Sequence, residues 1–278
     1  MSLPDLSYMM TVGRLRYIQA FYECPEYRNP DVLVGDLLPV WRRWGWNLSG
    51  ALRLASLRAK PFYYYLLART KYYDEVFVGA MCDGFSHVVN IGAGSDTRAF
   101  RFGHLLTQKG MRVLECDQEV AIRAKRERAR LRWSIGHVDY LALDLNNERW
   151  PHLESWLRAH CERPILVLME GVSPYVDEES FGRFLELLGE TLQHGSRVAY
   201  DFKFTGFSES PGPKGRAGRP FRLTECLADV ATYHDGFGFR VEHLEKSADL
   251  SLRLLPLLSD ANVTLFQEDC LVQLSLRA

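Results

Sequence analysis

Hydrophobic positions change their period part-way along the chain. Up to about Cys82, residues 10–22, 41–58 and 62–81 repeat apolar side chains at the spacing of a helix face and are rich in Leu, Tyr and Trp. Pro25, Pro30, Pro39 and Pro61 punctuate them, and no strand pattern occurs there. Beyond that point short β-branched runs alternate with helical stretches. Strands are predicted at 87–91, 112–115, 138–145, 164–169 and 197–204, and helices at 119–131, 151–160 and 178–194. The run PILVLM at 164–169 is apolar almost throughout, as a strand covered on both faces requires.

Strands alternating with helices imply a parallel sheet in an α/β fold. The end of the chain differs. Residues 239–244 and 270–276 read as a closing strand pair with an irregular stretch between them, so the last strand is expected to be antiparallel. The organisation expected is an N-terminal helical cap over 1–82 and a Rossmann-like domain over 83–278, integrated as one unit. The Gly-, Pro- and Ser-rich segment 206–220 reads as a mobile loop, which composition alone makes inert more readily than a lid over a site.

Composition narrows the function. Lys and Arg number 34 against 35 Asp and Glu, so no overall field draws the chain to nucleic acid or anionic lipid. The local basic run Arg123, Lys125, Arg126, Arg128, Arg130 and Arg132 reads as a solvated helix face. The six cysteines form no CxxC pair and no zinc-like spacing, so no metal is expected and the thiols read as reduced. The N-terminus lacks a signal pattern, and the longest apolar strand is too short for a bilayer. A cytoplasmic protein with neither nucleic-acid nor membrane partner is expected.

The chemistry is announced at the end of the first predicted strand, where Val88-Val89-Asn90-Ile91 runs into Gly92-Ala93-Gly94 and then towards a helix that Ser95 or Asp96 can cap. Glycines permit a tight turn and close approach of a ligand, and the helix start offers free amide donors. Thr97 stands where a dinucleotide fingerprint carries its third glycine, and bulky Arg98 follows, which lowers the NAD reading. Glu115 and Asp117 end the second strand, where a carboxylate can take ribose hydroxyls of either NAD or S-adenosyl-L-methionine. Asp144 ends the third and could bind an adenine amino group, although taken alone it reads more readily as a turn cap.

These segments resemble the leucine carboxyl methyltransferase family, which includes bacterial O-methyltransferases of polyketide and other natural-product pathways. VVNIGAGSDTRAFR is similar to its glycine motif. In order along the chain, ARTKYYD at 68–74, LECD at 114–117, LDL at 143–145 and LMEGVSPYV at 168–176 resemble four further family segments. The resemblance spans roughly residues 60–205. Gln118-Glu119 stand where many relatives carry a proline, and the C-terminal region is shorter than in the protein-methylating members.

The resemblance implies a class I S-adenosyl-L-methionine-dependent methyltransferase. It places Arg69 on the carboxylate of the cofactor's methionine part and Gly92, Ala93 and Gly94 beneath the cofactor. Asp117 would take the ribose, Asp144 and Leu145 the adenine, and Glu170 with Gly171 the amino group. A Glu ending a buried strand needs a cationic partner, which that amine would supply.

The acceptor expected is a carboxylate or hydroxyl of a small molecule. A carboxylate is ionised at neutral pH and needs no base; a hydroxyl needs one. Tyr175 and Asp201 are the candidates, each with a structural alternative: packing for Tyr175, and a cap or a pair with Lys203 for Asp201. His137 and His194 look peripheral. Tyr17, Phe21, Tyr22, Trp41, Tyr63 and Tyr64 are candidates for an apolar acceptor pocket as well as for plain core, and Lys203 or Arg14 could hold an anionic acceptor. A protein C-terminal carboxyl methyltransferase, an NAD-dependent oxidoreductase and a non-catalytic cofactor binder remain as alternatives.

Overall fold

A computed structural model describes residues 4–39, 53–205, 219–259 and 263–277. Its centre is a sheet in the order β3-β2-β1-β4-β5-β8-β7. The strands are β1 His87–Ile91, β2 Arg112–Asp117, β3 Val138–Ala142, β4 Ile165–Met169, β5 Arg197–Phe204, β7 Phe239–Lys246 and β8 Asp269–Leu276. The two-residue β6, Arg222–Leu223, pairs with the outer end of β5. Strands β1 to β5 are parallel, whereas β8 runs antiparallel between β5 and β7. This is the mixed α/β sheet that the alternating pattern predicts.

Central β4 is buried at every position, matching its unbroken apolar run. One sheet face packs on α5, Pro151–His160, and α6, Glu178–Thr191, through Leu153, Leu157, Phe181, Phe184 and Leu188. The other packs on α2, Pro61–Cys82, through Tyr65, Tyr72, Tyr73 and Phe77. Proline begins α2, where its missing N–H costs no helical bond. The long N-terminal helix α1, Pro4–Tyr22, lies against α2 and the carboxyl edge of the sheet.

Several boundaries move. Strand β3 stops at Ala142, because Asp144 accepts Asn146 N–H at 3.0 Å and turns the chain out of the sheet. The stretch between the last two strands carries helix α8 at Ser247–Leu254 and a 3-10 turn at Pro256–Leu258. Its leucines at 250, 252 and 254 recur every second residue and hide the helix from a periodicity reading. Helix α7, Leu227–Asp235, likewise forms where the sequence pattern predicts no element. Trp41 and residues 206–218 lie outside the described residues. Among the described residues, no helix is long and apolar enough to cross a membrane.

Candidate active site

The turn after β1 is built for close approach. Gly92 and Gly94 have φ of +69° and +39°, a region that L side chains rarely adopt. At Gly92 a side chain is also sterically excluded, since a Cβ would stand 2.2 Å from Val172 Cγ2 in the loop after β4. Ala93 N–H donates to Cys116 O at 2.9 Å, and Gly94 N–H donates to Asp117 Oδ2 at 2.7 Å. Asp117 is half-buried, and its Oδ1 accepts Gln118 N–H at 2.7 Å. Asp96 accepts Arg98 N–H at 2.8 Å from the position before the N-cap of the helical turn Arg98–Arg101; the cap itself falls on Thr97, not on Ser95 or Asp96, and helix α3, Gly103–Lys109, follows. Ser95 lies instead beneath α1, where a Cβ on Gly13 would meet Ser95 Oγ at 3.1 Å.

A buried charged seam lies beside this turn. Glu170, directly after β4, accepts from Arg69 Nε at 3.2 Å and from Arg98 Nη1 at 2.8 Å, and pairs with Arg16 of α1. Burial alone would raise its pKa; the guanidiniums of Arg16, Arg98 and Arg69 outweigh burial and hold it at about 2. Thus the cationic partners required by Glu170 come from the chain itself. Arg69 is buried, and its second link runs to Asp201 Oδ2 at 3.3 Å. Gly171 has φ of +68°, and a Cβ there would press on Arg69 Nη2 at 3.1 Å.

Asp201, on β5, is enclosed. Its Oδ1 accepts Tyr73 OH at 2.9 Å and Gly171 N–H at 2.7 Å. Burial pushes its pKa up to about 6 against the opposing pull of Arg69. Lys203 pairs with Glu268 and Asp269, at 3.0 and 3.1 Å, in place of the Asp201 contact the sequence allowed. Arg98 also binds Asp74 and Asp96, each at 2.7 Å. From the N-terminal segment, buried Asp31 pairs with Thr97 and lies 3.8 Å from Arg101.

The expected site residues therefore fall into three groups. Arg69, Glu170, Gly171 and Asp201 form the seam. Gly92, Ala93, Gly94 and Asp117 form the turn. Asp144 and Tyr175 belong to a third group, joined by Asn146, whose Nδ2 donates to Tyr175 O at 3.1 Å; Leu145 beside Asp144 is buried. Tyr175 is half-buried in the 3-10 turn Ser173–Tyr175. Among the pocket candidates, Tyr17, Tyr63 and Tyr64 are buried, Tyr22 is half-buried and Phe21 is exposed. Arg14 is half-buried. His137 bonds Ala99 O at 2.7 Å and His194 precedes β5, both at the opposite edge of the sheet.

Sequence reasoning missed Arg16, Asp31 and Lys125. Lys125 was grouped with the solvated arginines of α4, Glu119–Arg130, yet it is buried with Ile122 and Ala129. The signal was available: Ile122, Lys125 and Ala129 share one stripe at helical spacing. Lys125 Nζ donates to Glu115 Oε1 at 2.7 Å and to Ala93 O at 3.0 Å.

Comparisons with known proteins bear on this arrangement. The family profile described as leucine carboxyl methyltransferase matches residues 41–189. The chain belongs to the leucine carboxyl methyltransferase family. It is 28% identical over 205 residues to a Streptomyces coelicolor protein named "Putative S-adenosyl-L-methionine-dependent methyltransferase", covering 71% of this chain and 69% of that one. A Frankia alni protein of the same name is 25% identical over 249 residues, covering 83% and 81%. In fold, the chain is similar to magnesium protoporphyrin IX methyltransferase of Synechocystis, solved with bound S-adenosylhomocysteine. The TM-score is 0.50 at 14% identity, covering 86% of this chain and 99% of that one. As a leucine carboxyl methyltransferase family member with a class I methyltransferase sheet, the protein carries its charged seam at the carboxyl edge, where open α/β sheets bind ligands.

Proposed function

We propose that the protein transfers a methyl group from S-adenosyl-L-methionine to an oxygen of a small molecule, with a carboxylate of a polyketide or other natural-product intermediate as the favoured acceptor. The observation that carries this reading is the seam of Glu170 with Arg16, Arg69 and Arg98 beside the Gly92–Gly94 turn. Such a donor set suits a zwitterionic amino-acid end: guanidiniums for its carboxylate and Glu170 for its ammonium. Among the described residues, buried Arg16 Nε and Asp31 Oδ2 have no hydrogen-bond partner, so the seam retains polar capacity for a ligand.

In this reading Arg69 and Glu170 hold the methionine end, and the Gly92–Gly94 turn with Asp117 holds the ribose. Asp144 and Leu145 meet the adenine. The cofactor supplies a methyl already activated on a sulfonium. The protein must then align the acceptor and exclude water. The close approach of Gly13 to Ser95 supports α1 as the element that seals the turn from solvent.

The enclosure of Asp201 supports the carboxylate over the hydroxyl. It is 1% exposed and engaged by Tyr73, Gly171 and Arg69, a poor position from which to take a proton from an incoming hydroxyl. An ionised carboxylate needs no such base.

The test uses methyl-labelled cofactor with a panel of carboxylic acids and phenols, followed by mild alkali. Label released as methanol is expected, because esters hydrolyse and aryl ethers do not. Alkali-stable label would transfer the reading to a hydroxyl acceptor. Alkali-labile label on added protein rather than on small molecules would favour the protein carboxyl methyltransferase alternative.

A further inference from the structure

We propose that Lys125 is a positioning residue for the cofactor, its buried ammonium setting the shape of the Gly92–Gly94 turn through the carbonyl of Ala93. The inference rests on the reading that this turn and Asp117 hold the cofactor.

Ala93 lies between two glycines of positive φ, a stretch with many accessible backbone states of its own. Bonds from outside the turn fix it. Ala93 N–H reaches Cys116 O, Gly94 N–H reaches Asp117 Oδ2, and Ala93 O, which also accepts Asp96 N–H at 2.8 Å inside the turn, accepts from Lys125 Nζ at 3.0 Å. The first two come from β2, and only the last is held from a helix. Reorienting the Ala93 carbonyl rotates the peptide plane it shares with Gly94. It thereby moves the N–H that is bonded to the ribose carboxylate of the proposed site.

The energetics point to geometry rather than bulk stability. The Lys125 and Glu115 side chains are 2% and 0% exposed, and Glu115 Oε2 has no hydrogen-bond partner among the described residues. A buried ion pair with an unsatisfied oxygen is a poor stabiliser, and apolar residues of similar volume often serve as well. What an apolar pair cannot do is donate to a main-chain carbonyl. The ammonium, with three donors, serves Glu115 and Ala93 together. Glu115, two residues before Asp117, accepts the ammonium's other hydrogen bond through Oε1, a place that the amide oxygen of a glutamine can also fill.

The test compares Glu115→Gln with the double variant Glu115→Gln/Lys125→Met. The single variant removes the charge pairing and retains the donor to Ala93. The double variant also removes that donor and leaves no charge buried. S-adenosylhomocysteine is titrated by calorimetry, and amide hydrogen exchange is followed at residues 92–95. The single variant is expected to bind within about threefold of wild type. The double variant is expected to melt close to the single variant, bind at least about tenfold more weakly and exchange faster at 92–95. Equal affinity and equal exchange in the two variants would overturn the proposal. If the methionine double does not fold, Glu115→Gln/Lys125→Gln takes its place with the same expectation. If wild type itself binds no S-adenosylhomocysteine, the functional reading fails. Exchange at 92–95 then still decides whether Lys125 shapes the turn.

Discussion

The two edges of the sheet carry charge in opposite ways. At the amino edge, Arg112 pairs with Asp139 at 2.9 Å and Arg197 with Asp83 at 2.6 Å, with side chains 38 to 46% exposed. Such pairs remain hydrated and contribute little. At the carboxyl edge, Arg98 and Glu170 pair at 2.8 Å with side chains 1% and 8% exposed. There the chain removes several charges from water, a cost that packing alone does not demand. Buried ionisable clusters of this kind gather at functional sites. The contrast sets hydrated charge apart from the buried charge that the proposed function assigns to the cofactor.

The largest effect that would sharpen this contrast is expected from Glu170→Ala. It leaves Arg16, Arg69 and Arg98 facing one another without their shared carboxylate. Urea unfolding should show a loss of about 3–5 kcal/mol, and a loss below 1 kcal/mol would break the comparison. Asp117→Ala comes next. It strips the acceptor from Gly94 N–H at a half-buried position. Affinity for S-adenosylhomocysteine should fall by about 1.5–3 kcal/mol, with a small change in melting temperature.

A pH effect follows in size. Burial pushes Glu115 up to about 7 against the pull of Lys125, from an ordinary value of 4.5. Asp201 rises likewise to about 6 from 3.8. A raised carboxyl pKa means that the folded state holds its proton more tightly. Each contribution is therefore complete below the ordinary value and is lost as pH rises through the folded value. Stability should decline from pH 5 to 7, by at most about 1.4 kcal/mol per pH unit for each group. Glu115→Gln should flatten part of that slope in thermal melts. Glu170, held at about 2, stays ionised across this window and does not contribute to the slope. The smallest effect belongs to the amino edge. Arg112→Ala should cost no more than about 1 kcal/mol and leave cofactor affinity unchanged.

Much of this architecture was legible in the sequence because each sheet strand is a short apolar run between turn residues. Val88 to Ile91 and Ile165 to Met169 read plainly as buried strands. Helix α8 was not legible, since its leucines alternate like a strand and only their packing distinguishes the two. Site residues carried by contiguous motifs, such as Gly92, Gly94 and Glu170, were visible as types at fixed spacing. Their partners were not. Arg16 lies 154 residues from Glu170, and no local pattern joins them. Lys125 was hidden in another way, by basic neighbours that made a buried cation read as one more solvated charge. Asp201 was legible as a candidate, but the donors that enclose it come from α2 and the loop after β4, which only the fold assembles.

The most direct test of the central claim, that the carboxyl-edge seam and glycine turn hold S-adenosyl-L-methionine, is a calorimetric titration of S-adenosylhomocysteine into wild type and Asp117→Ala. Binding in the micromolar range, about −8 kcal/mol, that is lost or strongly weakened in the variant is the result predicted. No heat of binding in folded wild-type protein, or equal binding by the two, would contradict it.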